Sequence, residues 1–245
     1  MRRLRPRLNQ AAVQVIDAQG TPREILRPTT LALDESRIAL IGPNGSGKST
    51  ILRLLNGLVL PTAGTVVVGG RDTAREAAAI RRQVGFVFTD PEAQLVMPTA
   101  VEDVALSLRK SGVPRPERAG RAEKILHDFG LAGQEQTPVH QLSGGQKQLL
   151  ALAGVLATDP HLIVCDEPTT LLDLRHSQKM AQLLFTLPQQ LIFATHDLDL
   201  AARADRVLVI EGGALAFDSN PDVAIDYYRK SMAVAGQTSA GEAVG

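Results

Sequence analysis

One stretch, Gly42-Pro43-Asn44-Gly45-Ser46-Gly47-Lys48-Ser49-Thr50, has the residue types and spacing to hold a row of phosphates. It satisfies G-x-x-x-x-G-K-[ST], in which glycines let successive backbone N–H groups turn toward phosphate oxygens with no Cβ in the way. Lys48 can reach the β/γ-phosphates of ATP or GTP, and the Ser49 hydroxyl can take a Mg2+ ligand position. A second pair, Asp166-Glu167, follows the apolar run Leu162–Cys165. Acids at the carboxyl end of a buried strand face the ligand crevice of an open α/β sheet. There Asp166 suits the magnesium ion and Glu167 is free to polarise an attacking water. A third cluster, Leu142-Ser143-Gly144-Gly145-Gln146, puts a serine and two glycines at a helix start, where free N–H groups form another anion site. A whole helical region separates it from the phosphate loop. Both ends therefore close on one nucleotide only if two chains face each other.

The elements that must position these groups follow from periodicity and punctuation. Ile38–Ile41 is a short apolar run ahead of the glycine loop, and Ile51, Leu52, Leu54, Leu55 and Leu58 repeat at helical spacing after it. Strand, loop and helix is the context the motif requires. Residues 11–25 read as an antiparallel hairpin, and Val84–Phe88 as another core strand. From Thr89 to about residue 158 strand signals give way to helix signals, with capping-box spacing at Thr99–Glu102 and Ser143–Gln146. Strands at 162–165, 191–194 and 207–210 alternate with helices afterwards, which is the pattern of a parallel sheet covered on both faces. The expected organisation is a single domain over 1–245: a nucleotide-binding core from 1–88 and 159–217, a helical lobe at 89–158, and a C-terminal helix and tail at 218–245. That tail is expected to lack structure from Ala233 onward, as is the arginine-rich start of the chain.

Composition narrows the partners. Lys and Arg number 26 and so do Asp and Glu, so charge balance offers nothing to attract nucleic acid. The single cysteine, Cys165, excludes a disulfide framework and fits a reducing compartment as a buried, inert thiol. No signal peptide is evident, and the longest run free of polar residues, Leu149–Ala157, falls well short of the ~20 residues of a membrane span. A membrane role must come through partners.

Taken together and in order, Gly42–Thr50, Leu142–Gln146, Leu162–Glu167, Thr170-Leu171-Leu172-Asp173 and Ala194-Thr195-His196-Asp197 resemble the motifs of ABC-type ATPases over roughly residues 10–217. The resemblance implies a P-loop core with a mostly parallel sheet, an antiparallel N-terminal part and an inserted helical lobe. It implies ATP and Mg2+ as cofactors, with His196 hydrogen-bonded to the γ-phosphate and Asp173 in the loop between facing subunits. Residues Val87–Leu95 are further similar to the coupling segment of energy-coupling-factor (ECF) ATPases, which drive uptake of vitamins and metal ions. That likeness implies a transmembrane coupling subunit, a substrate-binding membrane subunit, a homodimer or a pair with a related ATPase, and a place on the inner face of the cell membrane. Asp90, Pro91, Glu92 and Gln94 would then serve coupling, with Gln94 facing the membrane partner. Thr89 stands where glutamine is usual and becomes a candidate for the magnesium site. The Thr-Asp-Pro form, together with Leu171-Leu172 and the short C-terminus, is most similar to the ATPase of biotin-type transporters. A cobalt/nickel-type ECF ATPase is one alternative. Another is a soluble ABC ATPase of DNA repair or translation, which would need a coiled-coil insertion or a second nucleotide domain. The family usually stacks adenine on an aromatic residue of the first hairpin. No Phe, Tyr or Trp precedes Phe86, so Val15 or Ile16 is expected against the base.

Overall fold

Apolar residues that alternate along buried strands explain how the central sheet is covered on both sides. In β3 (Arg37–Ile41) Ile38 and Leu40 enter one hydrophobic cluster, while Ala39 and Ile41 enter the other. The same division separates Leu162 and Val164 from Ile163 and Cys165 in β7 (Leu162–Asp166). The computed structural model describes residues 3–242. With β6 (Val84–Val87), β8 (Gln190–Ala194), β9 (Arg206–Glu211) and β10 (Ala214–Ser219), these strands order as β10-β9-β3-β8-β7-β6. All neighbours run parallel except β10, which turns back antiparallel on β9. The second sheet is antiparallel, in the order β2-β1-β4-β5, from β1 (Arg7–Ile16), β2 (Pro22–Ala32), β4 (Ala63–Val68) and β5 (Arg71–Asp72).

Helix α1 (Lys48–Leu55) lies between the two sheets, its Ile51, Leu52, Leu54 and Leu55 sharing a cluster with Leu8 and Val66 on one side and Val164 and Ile192 on the other. After α2 (Thr73–Ile80) and β6, the chain builds α3 (Ala100–Lys110), α4 (Arg115–Asp128) and α5 (Gly144–Leu156) before returning at β7. Capping boxes open α3 at Thr99/Glu102 and α5 at Ser143/Gln146, as the spacing predicts. Helix α5 is apolar nearly all round and packs Leu149, Leu150 and Leu152 into the cluster that holds Ile163 and Cys165. The lobe is thus fastened to the core through one helix. Helices α6 (Leu174–Thr186), α7 (Leu198–Ala201) and α8 (Pro221–Glu242) complete the fold.

Two expectations about the ends need correction. Helix α8 continues past Ala233 to Glu242, because alanines at 233, 235 and 240 add helix propensity to a stretch that reads as polar. At the other end the described arginines are folded against the body. Arg7 Nη2 donates to both carboxylate oxygens of Asp34 at 2.8 and 2.9 Å, Arg3 donates to the Asp34 carbonyl, and Leu4 is buried. Met1, Arg2 and residues 243–245 lie outside the described residues. No helix among the described residues is long and apolar enough to cross a membrane.

Candidate nucleotide site

The glycine loop leaves β3 and enters α1 at the carboxyl end of the parallel sheet, and two glycines there have steric necessity. Gly42 has φ +146°, and a Cβ on it would lie 2.0 Å from the Ile210 carbonyl oxygen on β9. Gly47, at the N-cap of α1, has φ +103°, with the Ile25 carbonyl 3.1 Å from a Cβ position. Behind the loop, Gly213 N–H donates to Ser46 O at 3.0 Å, so the β9–β10 turn braces it. Lys48 is buried, and its Nζ donates to the carbonyls of Gly42 (2.7 Å) and Pro43 (2.9 Å). Burial lowers its pKa, while the carboxylates of Glu167 and Asp166 oppose that shift.

Asp166 ends β7 beside the first turn of α1. Its Oδ1 accepts from Ser49 Oγ at 2.8 Å, and Arg53 stands 3.8 Å from Oδ2. Mg2+ takes oxygen ligands, commonly one or two from the protein with phosphates and water supplying the rest. A hydroxyl and a carboxylate this close fit that need. Among the described residues no group of three or more His, Cys, Asp or Glu side chains could cage a metal, so the pair requires the phosphates. Thr89, expected at the metal, donates instead to the main-chain carbonyl of Asp166 at 2.9 Å. That bond ties the end of β6 to the end of β7.

Glu167 sits one residue past the strand with φ +52°, a conformation that costs a non-glycine residue about 1–2 kcal/mol. Its carboxylate is held in place. Oε2 accepts from Thr170 Oγ1 at 2.9 Å and from His196 N–H at 3.2 Å, and His196 Nε2 lies 3.0 Å from Oε1 without hydrogen-bond alignment. Oε1 is buried and keeps its lone pairs for another donor. Thr170 has no signature in a motif reading beyond its place in the run Thr170–Asp173. Just beneath, the thiol of fully buried Cys165 is pushed well above the ordinary cysteine range, by burial first and the Asp166 charge second.

A cleft of about 260 Å³ brings the loop together with Thr89, Asp166, Glu167 and His196. Two unexpected residues line it, Arg23 and Ile25 of β2, whereas Val15 and Ile16 do not. Ser143, Gly144, Gly145 and Gln146 are outside it. Ser143 Oγ accepts from Gln146 N–H (3.3 Å) and Gln146 Oε1 from Ser143 N–H (2.8 Å), which closes the cap of α5. Asp173 caps α6, accepting from His176 N–H at 2.9 Å, between the exposed side chains of Leu171 (61 %) and Leu174 (75 %).

The segment between core and lobe is less outward-facing than expected. Asp90 caps a 3-10 turn at Pro91–Ala93, Pro91 is buried, and Glu92 pairs with Lys147 of α5. The likeness to the coupling segment predicts that Gln94 faces a membrane partner. Its amide instead bridges the two halves, donating to Ala151 O on α5 (3.0 Å) and accepting from Phe88 N–H (3.4 Å). Gln148 answers from α5 by donating to Phe88 O at 3.3 Å. One edge of Gln94 still reaches a cleft of about 540 Å³ between β6, α2 and the lobe.

A G-x-x-x-x-G-K-S loop between strand and helix, with the paired oxygens of Ser49 and Asp166 and a fixed carboxylate beside it on one edge of a doubly covered sheet, is the arrangement of a P-loop ATPase. More narrowly, the chain belongs to the ABC transporter family, whose model matches residues 27–170. It is similar to the biotin transport ATP-binding protein BioM of Rhizobium etli, 43 % identical over 211 residues that cover 86 % of this chain and 94 % of that one. It is also similar to the energy-coupling factor transporter ATP-binding protein EcfA1 of Halalkalibacterium halodurans, 42 % identical over 191 residues, 76 % of this chain and 69 % of that one. Among solved structures it matches the dimeric ATP-binding cassette MJ0796 in a post-hydrolysis state with ADP and Pi, at 30 % identity and a TM-score of 0.80 over 88 % of this chain and 98 % of that chain. The chain is an ABC ATPase, the ATP-binding subunit of a transporter with ECF-type relatives.

Proposed function

We propose that this chain is the energy-coupling ATPase of an ECF-type importer for a vitamin, biotin by preference, and that it works as a pair of copies on the inner face of the membrane. The observation that carries the catalytic part is Glu167. Its carboxylate is oriented by Thr170 and His196 in the same cleft as Lys48 and the Ser49–Asp166 pair. Ser49 and Asp166 would hold Mg2+, which would supply charge neutralisation on the phosphates. The Glu167 carboxylate accepts the proton of the attacking water, Lys48 and the loop N–H groups hold the phosphates, and His196 donates to the γ-phosphate. Ser143–Gln146 lie outside this cleft, and with the N–H groups of Ser143 and Gln146 taken up in the cap, those of Gly144 and Gly145 serve the nucleotide of a facing copy; exposed Leu171 and Leu174 flank Asp173 on the surface that would meet it. ATP closes the pair and hydrolysis reopens it, because the two states bind ATP and ADP unequally.

Coupling to the membrane subunits is assigned to Asp90–Gln94, supported by the bonds from this segment to β6 and α5 and by the cleft it borders. Biotin as cargo rests on the likeness to BioM. Phosphate release with Mg2+ and ATP, and identification of membrane proteins and small molecules that co-elute from detergent extract, test the two halves of the proposal. Absence of any co-eluting membrane protein would favour the soluble alternative.

A further inference from the structure

The phosphates of the nucleotide are amply provided for, but the base is not, since no aromatic side chain precedes Phe86. The antiparallel sheet supplies a different surface. Along the hairpin Val13 pairs with Leu26 and Gln14 with Glu24, so Ile25 is an extra residue on β2, a bulge. Bulges re-aim side chains and are common beside active sites. This one presses the Ile25 carbonyl toward Gly47 at the start of α1 and toward Gly213, and Arg27 N–H donates to Gly213 O at 2.7 Å. Ile25 is thereby fixed against the phosphate loop. Arg23, two residues earlier, lines the same cleft about 7 Å farther out along β2. Its acidic neighbour Glu24 pairs with Arg27 at 3.8 Å.

We propose that Arg23 is the base-binding residue: its planar guanidinium lies against the face of the purine, with Ile25 as the apolar contact between base and phosphate loop. The inference rests on the nucleotide site described above and adds to it how the base is held. A guanidinium plane stacks on a π-face as a lysine ammonium does not, and it reads the face rather than the edge. The site should therefore grip purines with little preference among their edge groups.

Titration calorimetry at physiological salt, with ATP, GTP and inorganic tripolyphosphate in the presence of magnesium, tests this on the full chain and on Arg23→Ala, Arg23→Lys and Arg23→Tyr. Arg23→Ala is expected to weaken ATP about 3- to 30-fold, the span of cation–π contacts, and tripolyphosphate by less than about twofold, since long-range charge is screened. Arg23→Tyr should recover ATP affinity and Arg23→Lys should not. The unaltered chain should bind ATP and GTP within about threefold of each other. Equal losses for ATP and tripolyphosphate, with rescue by lysine, would overturn the inference by showing that Arg23 acts through charge on the phosphates. Unchanged ATP affinity in Arg23→Ala, or a more than tenfold preference of the unaltered chain between ATP and GTP, would overturn it as well. Failure of the unaltered chain to bind either ATP or tripolyphosphate would instead overturn the nucleotide site itself.

Discussion

Replacing Gln94 with alanine separates a joint residue from a phosphate-contacting one. The side chain makes one good hydrogen bond across the core–lobe boundary, to Ala151 O at 3.0 Å, and one long one, from Phe88 N–H at 3.4 Å. A net bond of this kind contributes about 1 kcal/mol, and the long one about half that. Water can reach the partly exposed site, and alanine releases the side-chain entropy of glutamine, so the loss settles at about 0.5–1.5 kcal/mol. For a chain of this length that is a fall in Tm of about 1–6 °C. Neither bond touches the phosphate cleft, so ATP affinity of the isolated subunit should change by less than about twofold. Transport should suffer more, because the lost bond links β6 to the helix whose N-terminus carries Ser143. Scanning calorimetry, ATP titration and uptake by reconstituted vesicles read the three effects. An unchanged Tm with normal uptake, or outright loss of ATP binding, would refute the bridging role.

Thr89→Val keeps the shape and deletes the hydroxyl that donates to Asp166 O; it should lower Tm by about 2–4 °C and slow ATP turnover more than it weakens ATP binding, read by calorimetry and phosphate release. Cys165, fully buried and with its thiol held protonated, should resist thiol-specific reagents at neutral pH in the folded protein and react only after denaturant is added; prompt labelling of the native chain would contradict the packing beneath Asp166.

What the sequence made legible is what local chemistry determines. The phosphate loop, the strand ending in Asp166 and the serine cap of α5 each declare themselves because glycine, an apolar run or a capping box has a local physical meaning. Arg23 and Ile25 do not, because their place in the cleft depends on a bulge and on β2 crossing beside Gly47, both products of tertiary packing. The bridge made by Gln94 is hidden for a similar reason. Its position after Pro91 is readable, but the direction of its amide depends on where α5 lies. The bond from the Thr89 hydroxyl to Asp166 O is hidden in the same way, because it depends on the end of β7 lying beside β6. The reading of α8 failed for a different cause, since helix propensity in an alanine-containing segment outweighed its polarity.

Glu167→Gln tests in one protein both Glu167 as the base and the facing copy that completes the site. The amide preserves the side chain's shape and removes its ability to take a proton. Turnover should fall at least ~10²-fold, while ATP binding persists. With hydrolysis blocked, Mg2+ and ATP should drive the variant to a dimer, visible as a doubling of mass by light scattering. Hydrolysis at the unaltered rate, or a strictly monomeric mass at high concentration with ATP bound, would contradict the central claim.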